Sequence, residues 1–250
     1  MLTTYLNRTR RLLQNPSAPV SLYTDADLTD YINQARGQLA GESESIRVLG
    51  TINTTIGQRP YNFSSINTGV SATNGIQGAI HVRTIWYAVA SGLQWVAPRA
   101  WEWFGQYYLN NPVPESGPPK NWSQYVSGSS SAGTGSVTSG SFYIDPLPDM
   151  LYILTCDVVG YPIALVNDST VEALPYLWID CVPYYAAYLA LLSSQTNARR
   201  ADAEAMFSYY SVFVGRARQF ANPSLLRGQY PQSADLTMNA KLGLQKASGG

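Results

Sequence analysis

The strand-forming residues of this chain are confined to one central block, with helical segments before and after it. β-Branched and aromatic residues recur through residues 45–160, whereas residues 2–14, 24–40, 174–194 and 198–220 carry apolar residues at helical spacing. Helices segregated from strands in this way favour an α+β fold. We predict a helical bundle, built from the N- and C-terminal helices and packed with an antiparallel β-sheet block, and an extended C-terminal tail.

The chain length predicts one main domain with an extension. A chain of 250 residues is long enough to bury one good core, which we assign to residues 1–222. Residues 223–250 have few large apolar side chains and cannot build a core alone, so we predict an extended tail there. Residues 128–140 (GSSSAGTGSVTSG) are predicted to be a flexible hairpin tip or linker.

Local signals set three expectations about the ends of elements. Thr24 followed by Asp27 resembles a capping box and predicts the start of the second helix. Gly41 is a natural stop for that helix. The proline-rich turn at 145–149 (DPLPD) is predicted to join strands at 141–144 and 151–159 into a hairpin.

Charge and aromatic content limit the classes of partner. Sixteen basic and sixteen acidic residues give no net charge, so no strong field attracts nucleic acid or an anionic membrane. Eighteen tyrosines and six tryptophans suit either a wet protein interface or the exposed face of a β-rich core, and both interpretations stay open. The apolar stretch 174–192 is interrupted by Asp180 and Pro183, which favours a buried helix over a membrane span.

Residue types that carry catalysis are scarce. His81 is the only histidine, so one chain cannot form a catalytic triad or a two-histidine metal site. The two cysteines, Cys156 and Cys181, lack metal or redox spacing, and the N-terminal residues do not resemble a signal peptide, so we expect reduced, packed thiols. We predict no metal and no cofactor.

A pair of carboxylates is the remaining route to an enzyme, because a glycosidase needs two acids. Asp145 and Asp149 flank the proline turn, and Glu102 lies among aromatic residues. Aspartates in such a turn usually accept hydrogen bonds from their own backbone, and Glu102 fits the first turn of a helix. We therefore predict that the chain is not an enzyme.

Three segments together resemble the tailed-bacteriophage head-to-tail adaptor (connector) family. The first is a short basic helix that ends in Arg10-Arg11-Leu12-Leu13. The second is Thr24-Asp25-x-x-Leu28-x-x-Tyr31-Ile32-Asn33-x-Ala35, and the third is the Tyr/Ala-rich stretch 184–190. The resemblance implies a structural virion protein at the neck, assembled in the host cytoplasm. It also implies a dodecameric ring beneath the portal that extends the DNA channel, lets DNA pass without reading its sequence, and holds tail nozzle or fibre proteins.

Two sets of contact residues follow from this interpretation. We predict that Tyr5, Arg8 and Arg11 lie at the interface between neighbouring subunits. Apolar residues of the tail are predicted to bind the portal or a neighbouring subunit; they are Leu225, Leu236, Met238, Leu242 and Leu244. The alternative is a carbohydrate-binding module or a tail-associated glycan-binding protein. It would explain the tryptophans and tyrosines but would leave the terminal helical pairs and the tail without a role.

Overall fold

A computed structural model describes residues 1–15, 22–107, 115–125, 140–193 and 197–221. The helices are α1 (Leu2–Leu13), α2 (Asp25–Ser43), α3 (Ser71–Asn74), α4 (Trp101–Tyr107), α5 (Val182–Ser193) and α6 (Asn197–Ala221). The strands are β1 (Arg47–Asn53), β2 (Pro60–Asn62), β3 (Ile76–Val89), β4 (Gly92–Pro98), β5 (Asn121–Tyr125), β6 (Ser141–Asp145) and β7 (Ile153–Pro162). The fold is therefore mixed α+β, as predicted, and the linker at 128–139 and the tail lie outside the described residues.

The start of α2 follows the sequence signal, but its end does not. The Thr24 hydroxyl accepts a hydrogen bond from the Asp27 amide at 3.1 Å, and the Asp27 carboxylate accepts one from the Thr24 amide at 3.1 Å. The predicted stop at Gly41 is wrong, because the helix continues to Ser43 and ends where Glu44 adopts a left-handed conformation with φ of 53°. An exposed glycine weakens a helix without having to end it.

The predicted helix at 174–194 is divided in two. A 3-10 helix covers Tyr176–Cys181, and the α-helix α5 begins only at Val182. Pro183 has no amide hydrogen to donate to the preceding turn, so an α-helix cannot run through it without losing a hydrogen bond, although proline is well suited to a first turn. The last helix, predicted at 198–220, is confirmed as Asn197–Ala221.

In the described ranges, seven strands form one curled sheet in the order β1-β7-β3-β4-β5-β6-β2. Every neighbouring pair is antiparallel except β4 and β5, which are parallel at the pairs Ala97–Asn121 and Pro98–Trp122. The prediction of a purely antiparallel sheet is therefore wrong at this one pair. Register shifts in β3 against β7 bend the sheet, because each extra residue kinks the strand that carries it.

The predicted hairpin across the turn at 145–149 is wrong. The strand before the turn, β6, pairs with β5 and β2, whereas the strand after it, β7, pairs with β1 and β3. The Leu147 amide donates to the Glu115 carbonyl at 2.9 Å, so the turn is bound to a different segment. Pro146 and Pro148 have no amide hydrogens and cannot continue the ladder of β6.

Among the described residues there are two large apolar cores, beside a smaller cluster of Tyr23, Leu28 and Ala190. One fills the inside of the curl and includes Phe63, Phe142 and Leu154. The other lies among the helices, where α5 contacts α1, α2 and α6, and includes Ile32, Leu39 and Ala186. Val48 of β1 packs against both, so the helices and the curled sheet are joined through β1.

Candidate functional site

Two predicted contact residues, Arg8 and Arg11, lie on the solvent side of α1. Residues three positions apart on a helix are neighbours on one face, which brings the two arginines together. Leu2 and Thr9 are buried on the other side of the helix. The apolar spacing of α1 thus fixes which of its side chains a partner can reach.

The two arginines line a groove of about 350 Å³ between α1, the 3-10 helix and the C-terminal helix pair. Arg8 forms an ion pair with Asp180 of the 3-10 helix. The rings of Tyr184 and Phe213 stack at 5.9 Å between centroids on the other side. The remaining lining residues are Leu12 and Pro183. A groove with an apolar floor and a charged rim that includes Arg11 has the character of a protein-binding surface.

Asp180 is a site residue that sequence reasoning did not assign. It interrupts the apolar stretch at 174–192, and a charge within such a stretch usually has a partner or reaches solvent. The partner, Arg8, is 172 positions away in the chain, so no local pattern connects them. The signal was present in the sequence, but the identity of the partner was not.

A buried ion pair fixes the loop that precedes the 3-10 helix. Arg36 of α2 donates to the Glu172 carboxylate through Nε at 3.0 Å and through Nη2 at 2.8 Å. Arg36 also donates to the Ile163 carbonyl at 2.7 Å. These contacts hold residues 163–172 against α2, and the loop in turn positions the 3-10 helix that carries Asp180.

Tyr5 belongs to this buried network and not to the surface. Its side chain is fully buried, and its hydroxyl donates to the Glu172 carboxylate at 2.9 Å. Burial, together with the negative charge of Glu172, raises the pKa of Tyr5 far above its ordinary value. A side chain enclosed in this way is not available to a neighbouring subunit, so we retain Arg8 and Arg11 alone as proposed interface residues.

The predicted tail contacts lie outside the described residues. They are Leu225, Leu236, Met238, Leu242 and Leu244. The last described residue is Ala221, at the end of α6.

The residues considered above as catalytic candidates, Asp145, Asp149 and His81, contact neighbouring protein side chains. Asp145 is buried, with one carboxylate oxygen 3.6 Å from Arg59, and Asp149 is exposed and accepts from the Tyr152 hydroxyl at 2.7 Å. Burial lowers the pKa of His81, which lies 3.7 Å from Glu44. Within the described ranges, no three His, Cys, Asp or Glu side chains are grouped so that they could hold a metal ion.

The described helices were compared with the length and hydropathy that a membrane span requires. In the part of the chain that the structure describes, no helix is both long enough and apolar enough to span a bilayer.

A comparison with known protein families shows which family the chain belongs to. The family model of the SU10 adaptor protein matches residues 2–226, which is nearly the whole chain and includes every element described above. The chain belongs to the SU10 adaptor family. This is a family of phage head-to-tail adaptor proteins, so the resemblance seen in α1, α2 and α5 is confirmed. A search of curated proteins finds no match to the chain.

Membership in this family assigns a structural role in the phage virion, in association with portal and tail components. The groove beside Arg8 and Arg11 lies within the matched residues. Of the predicted tail contacts, Leu225 also falls inside the match, whereas the four later residues lie beyond it.

Proposed function

We propose that the protein forms the adaptor ring between the portal and the tail of a tailed phage. The match to the adaptor family over residues 2–226 is the observation that carries this proposal. In the proposed assembly, twelve copies form a closed ring beneath the portal and extend the channel through which DNA passes. The opposite side of the ring holds tail nozzle or fibre proteins.

The proposed subunit interface uses the groove beside Arg8 and Arg11. Contacts in a ring are heterologous, so this groove meets a different surface of the next copy. The apolar floor of Tyr184 and Phe213 supplies area, and Arg11 is exposed at the rim as a donor for the neighbour. The absence of net charge on the chain keeps repulsion between copies low.

The tail supplies the second proposed contact. Residues 223–250 follow the domain at 1–222 and carry widely spaced apolar residues in a polar sequence. A segment of this kind pays its ordering entropy when it binds, so it adds contact area without a core of its own. We propose that these residues lie along the portal or a neighbouring subunit and are ordered on assembly.

We also propose that the adaptor is not an enzyme and does not read DNA sequence. Asp145, one of the acids considered for a glycosidase pair, is enclosed beside Arg59. Pure protein should therefore not clear a suspension of peptidoglycan. Clearing that Glu102→Gln or Asp145→Asn abolishes would contradict this part of the proposal.

Sedimentation of the pure protein, alone and with purified portal rings, tests the adaptor role. We expect mostly monomer alone and a closed ring only on the portal, because the tail and the portal are proposed to supply part of the binding and each isolated subunit contact is then weak. A chain truncated after Asn222 should bind the portal far less stably. A stable dimer alone that never binds the portal would overturn the proposal.

The subunit interface is tested by removing two charges at a time. Arg8→Gln/Arg11→Gln should weaken ring formation on the portal by at least about tenfold, the effect of losing roughly 1.4 kcal/mol of binding free energy. The matched control is Arg216→Gln/Arg218→Gln, which removes two exposed charges from α6. Equal ring formation by both variants would show that the groove is not the interface.

A further inference from the structure

The outer face of the curled sheet carries large apolar side chains that the described residues leave uncovered. Register places Leu49 of β1, Trp86 of β3 and Trp95 of β4 on this face, across Asp157 and Thr155 of β7. Leu49 is 61% exposed and Trp95 is 57% exposed. On a sheet with one solvent-facing side, these positions are usually polar, so an uncovered apolar group here points to a binding surface.

The apolar residues line a groove of about 600 Å³. The rings of Trp86 and Trp95 lie 4.9 Å apart and form one side of it. Arg47, paired with Asp157, forms the opposite end at β1. The groove therefore runs across the strands from the Arg47–Asp157 pair on β1 and β7 to a pair of indole rings on β3 and β4.

The chain leaves α6 at the charged end of this groove. Arg47 Nη1 donates to the carbonyl of Ala221, the last described residue, at 3.4 Å. Asn222-Pro223 follows in the sequence, and a residue before proline is biased away from helical conformation, which favours an end of the helix at this point. The next apolar residues are Leu225 and Leu226, after which comes Tyr230.

The residues that follow Ala221 are long enough, in extended conformation, to cross the groove. From β1 to β4 there are three strand spacings, which amount to about 14 Å at ~4.8 Å each. Four to five residues of extended chain cover about 13–18 Å. Leu225 and Leu226, four and five positions after Ala221, can therefore reach any point between Arg47 and Trp95.

We propose that residues 222–230 bind this groove in their own subunit, with Leu225 and Leu226 covering Leu49 and the Trp86–Trp95 pair. A segment tethered at the rim of its site has an effective concentration in the millimolar range, so modest apolar contacts hold it there. The inference does not rest on the adaptor role. It narrows the proposed portal or neighbour contact of the tail: Leu225 is reassigned to the groove of its own subunit, and Leu236, Met238, Leu242 and Leu244 are left for the portal or a neighbouring subunit.

The test uses the full chain without portal, so its failure is separate from failure of the adaptor role. Thr84 lines the groove, and both native cysteines are buried, so Thr84→Cys introduces one reactive thiol at the site. Its rate of modification by a maleimide reports whether the groove is covered. We expect the rate to be at least about tenfold slower than in the same chain truncated after Asn222, as for a site occupied about nine-tenths of the time.

Two matched double variants locate the covering residues. Leu225→Ser/Leu226→Ser should restore the fast rate, whereas Leu242→Ser/Leu244→Ser should leave the slow rate unchanged. Equal rates in the full and truncated chains, or the same effect from both double variants, would overturn the proposal. Protection that disappears on dilution would assign the covering segment to a second copy and would also overturn it.

Binding of an apolar dye gives a second readout that needs no introduced thiol. A dye such as anilinonaphthalene sulfonate should bind the truncated chain and the Leu225→Ser/Leu226→Ser variant more than the full chain. Unchanged dye binding in both would count against a covered groove.

Discussion

Arg36 and Glu172 form a two-pronged ion pair in the interior, joining α2 to a loop that lies 136 positions further along the chain. The Arg36 side chain is 1% exposed and that of Glu172 is 9% exposed. Glu172 also accepts hydrogen bonds from the Tyr5 hydroxyl and from the Leu174 amide. One carboxylate therefore connects α1, α2 and the segment leading to the 3-10 helix.

Removing one partner of this pair should destabilise the protein strongly. We expect Arg36→Leu or Glu172→Leu to lower the free energy of unfolding by about 3–5 kcal/mol, because each leaves an unpaired charge in the interior. Arg36→Leu/Glu172→Leu should cost less than the two single changes together, since it leaves neither charge. Urea unfolding of the four proteins measures this, and strictly additive losses would contradict it.

Tyr210 should make stability fall at high pH. Burial, and then the negative charge of Glu42, raise the pKa of Tyr210 far above the ordinary value of 10.0. The neutral form is therefore favoured in the folded state. Its stabilisation is complete below pH 10 and is lost as pH rises above 10 towards the folded pKa, by up to about 1.4 kcal/mol per pH unit.

The measurement compares unfolding in urea at pH 8 and near pH 11. Tyr210→Phe should lose less stability between the two pH values than the wild type does. Tyr209→Phe, at an exposed position on the same helix, is the control and should behave like the wild type. The same loss in all three proteins would show that Tyr210 is not responsible.

Two glycines of α2 should respond in opposite directions to alanine. A Cβ at Gly41 meets nothing within 4 Å, whereas a Cβ at Gly37 would lie 2.5 Å from the Tyr161 hydroxyl oxygen and 2.9 Å from its ring. Gly41→Ala should stabilise the protein by about 0.5–1 kcal/mol through helix propensity. Gly37→Ala should destabilise it, because the ring must move. Thermal unfolding compares them, and equal stabilisation by both would be inconsistent with the close approach of Tyr161.

The two cysteines should be inert in the folded protein. Both are buried as free thiols, and burial raises the pKa of Cys156 and of Cys181 to about 12. At pH 8 almost no thiolate forms, and the thiolate is the reactive species. Ellman's reagent should release little colour from the native protein and two equivalents per chain in denaturant. Rapid native reaction at either position would contradict the packing around it.

Sequence signals predicted the elements that depend on neighbouring residues. Thr24 and Asp27 are three positions apart, so their reciprocal cap could be anticipated, and α6 follows from apolar spacing alone. The partners of β6 and β7 could not be anticipated, because strand pairing depends on distant segments such as Lys120, whose amide donates to the Asp145 carbonyl.

The residues of the candidate site also differ in whether a local sequence signal or a distant contact determines their position. Arg8 and Arg11 were predicted to be interface residues, and their positions on α1 leave them on its solvent side, which is consistent with the proposal. Tyr5 was misplaced because spacing gives the side of a helix but does not say what covers it. Asp180, Glu172 and Arg36 lie far from their partners in sequence, so their pairing required the folded chain.

The parallel contact between β4 and β5 joins the two antiparallel parts of the sheet. Among the described residues, the two strands meet at Ala97–Asn121 and Pro98–Trp122, and Pro98 has no amide hydrogen to contribute. The backbone bonds there are Ala97 to the Lys120 carbonyl and Arg99 to the Trp122 carbonyl, both at 2.8 Å. The sheet thus consists of two antiparallel ribbons joined by this short parallel contact. We expect a load that separates the ribbons to be resisted mainly by the side chains packed inside the curl, and the molecule to yield first along that line.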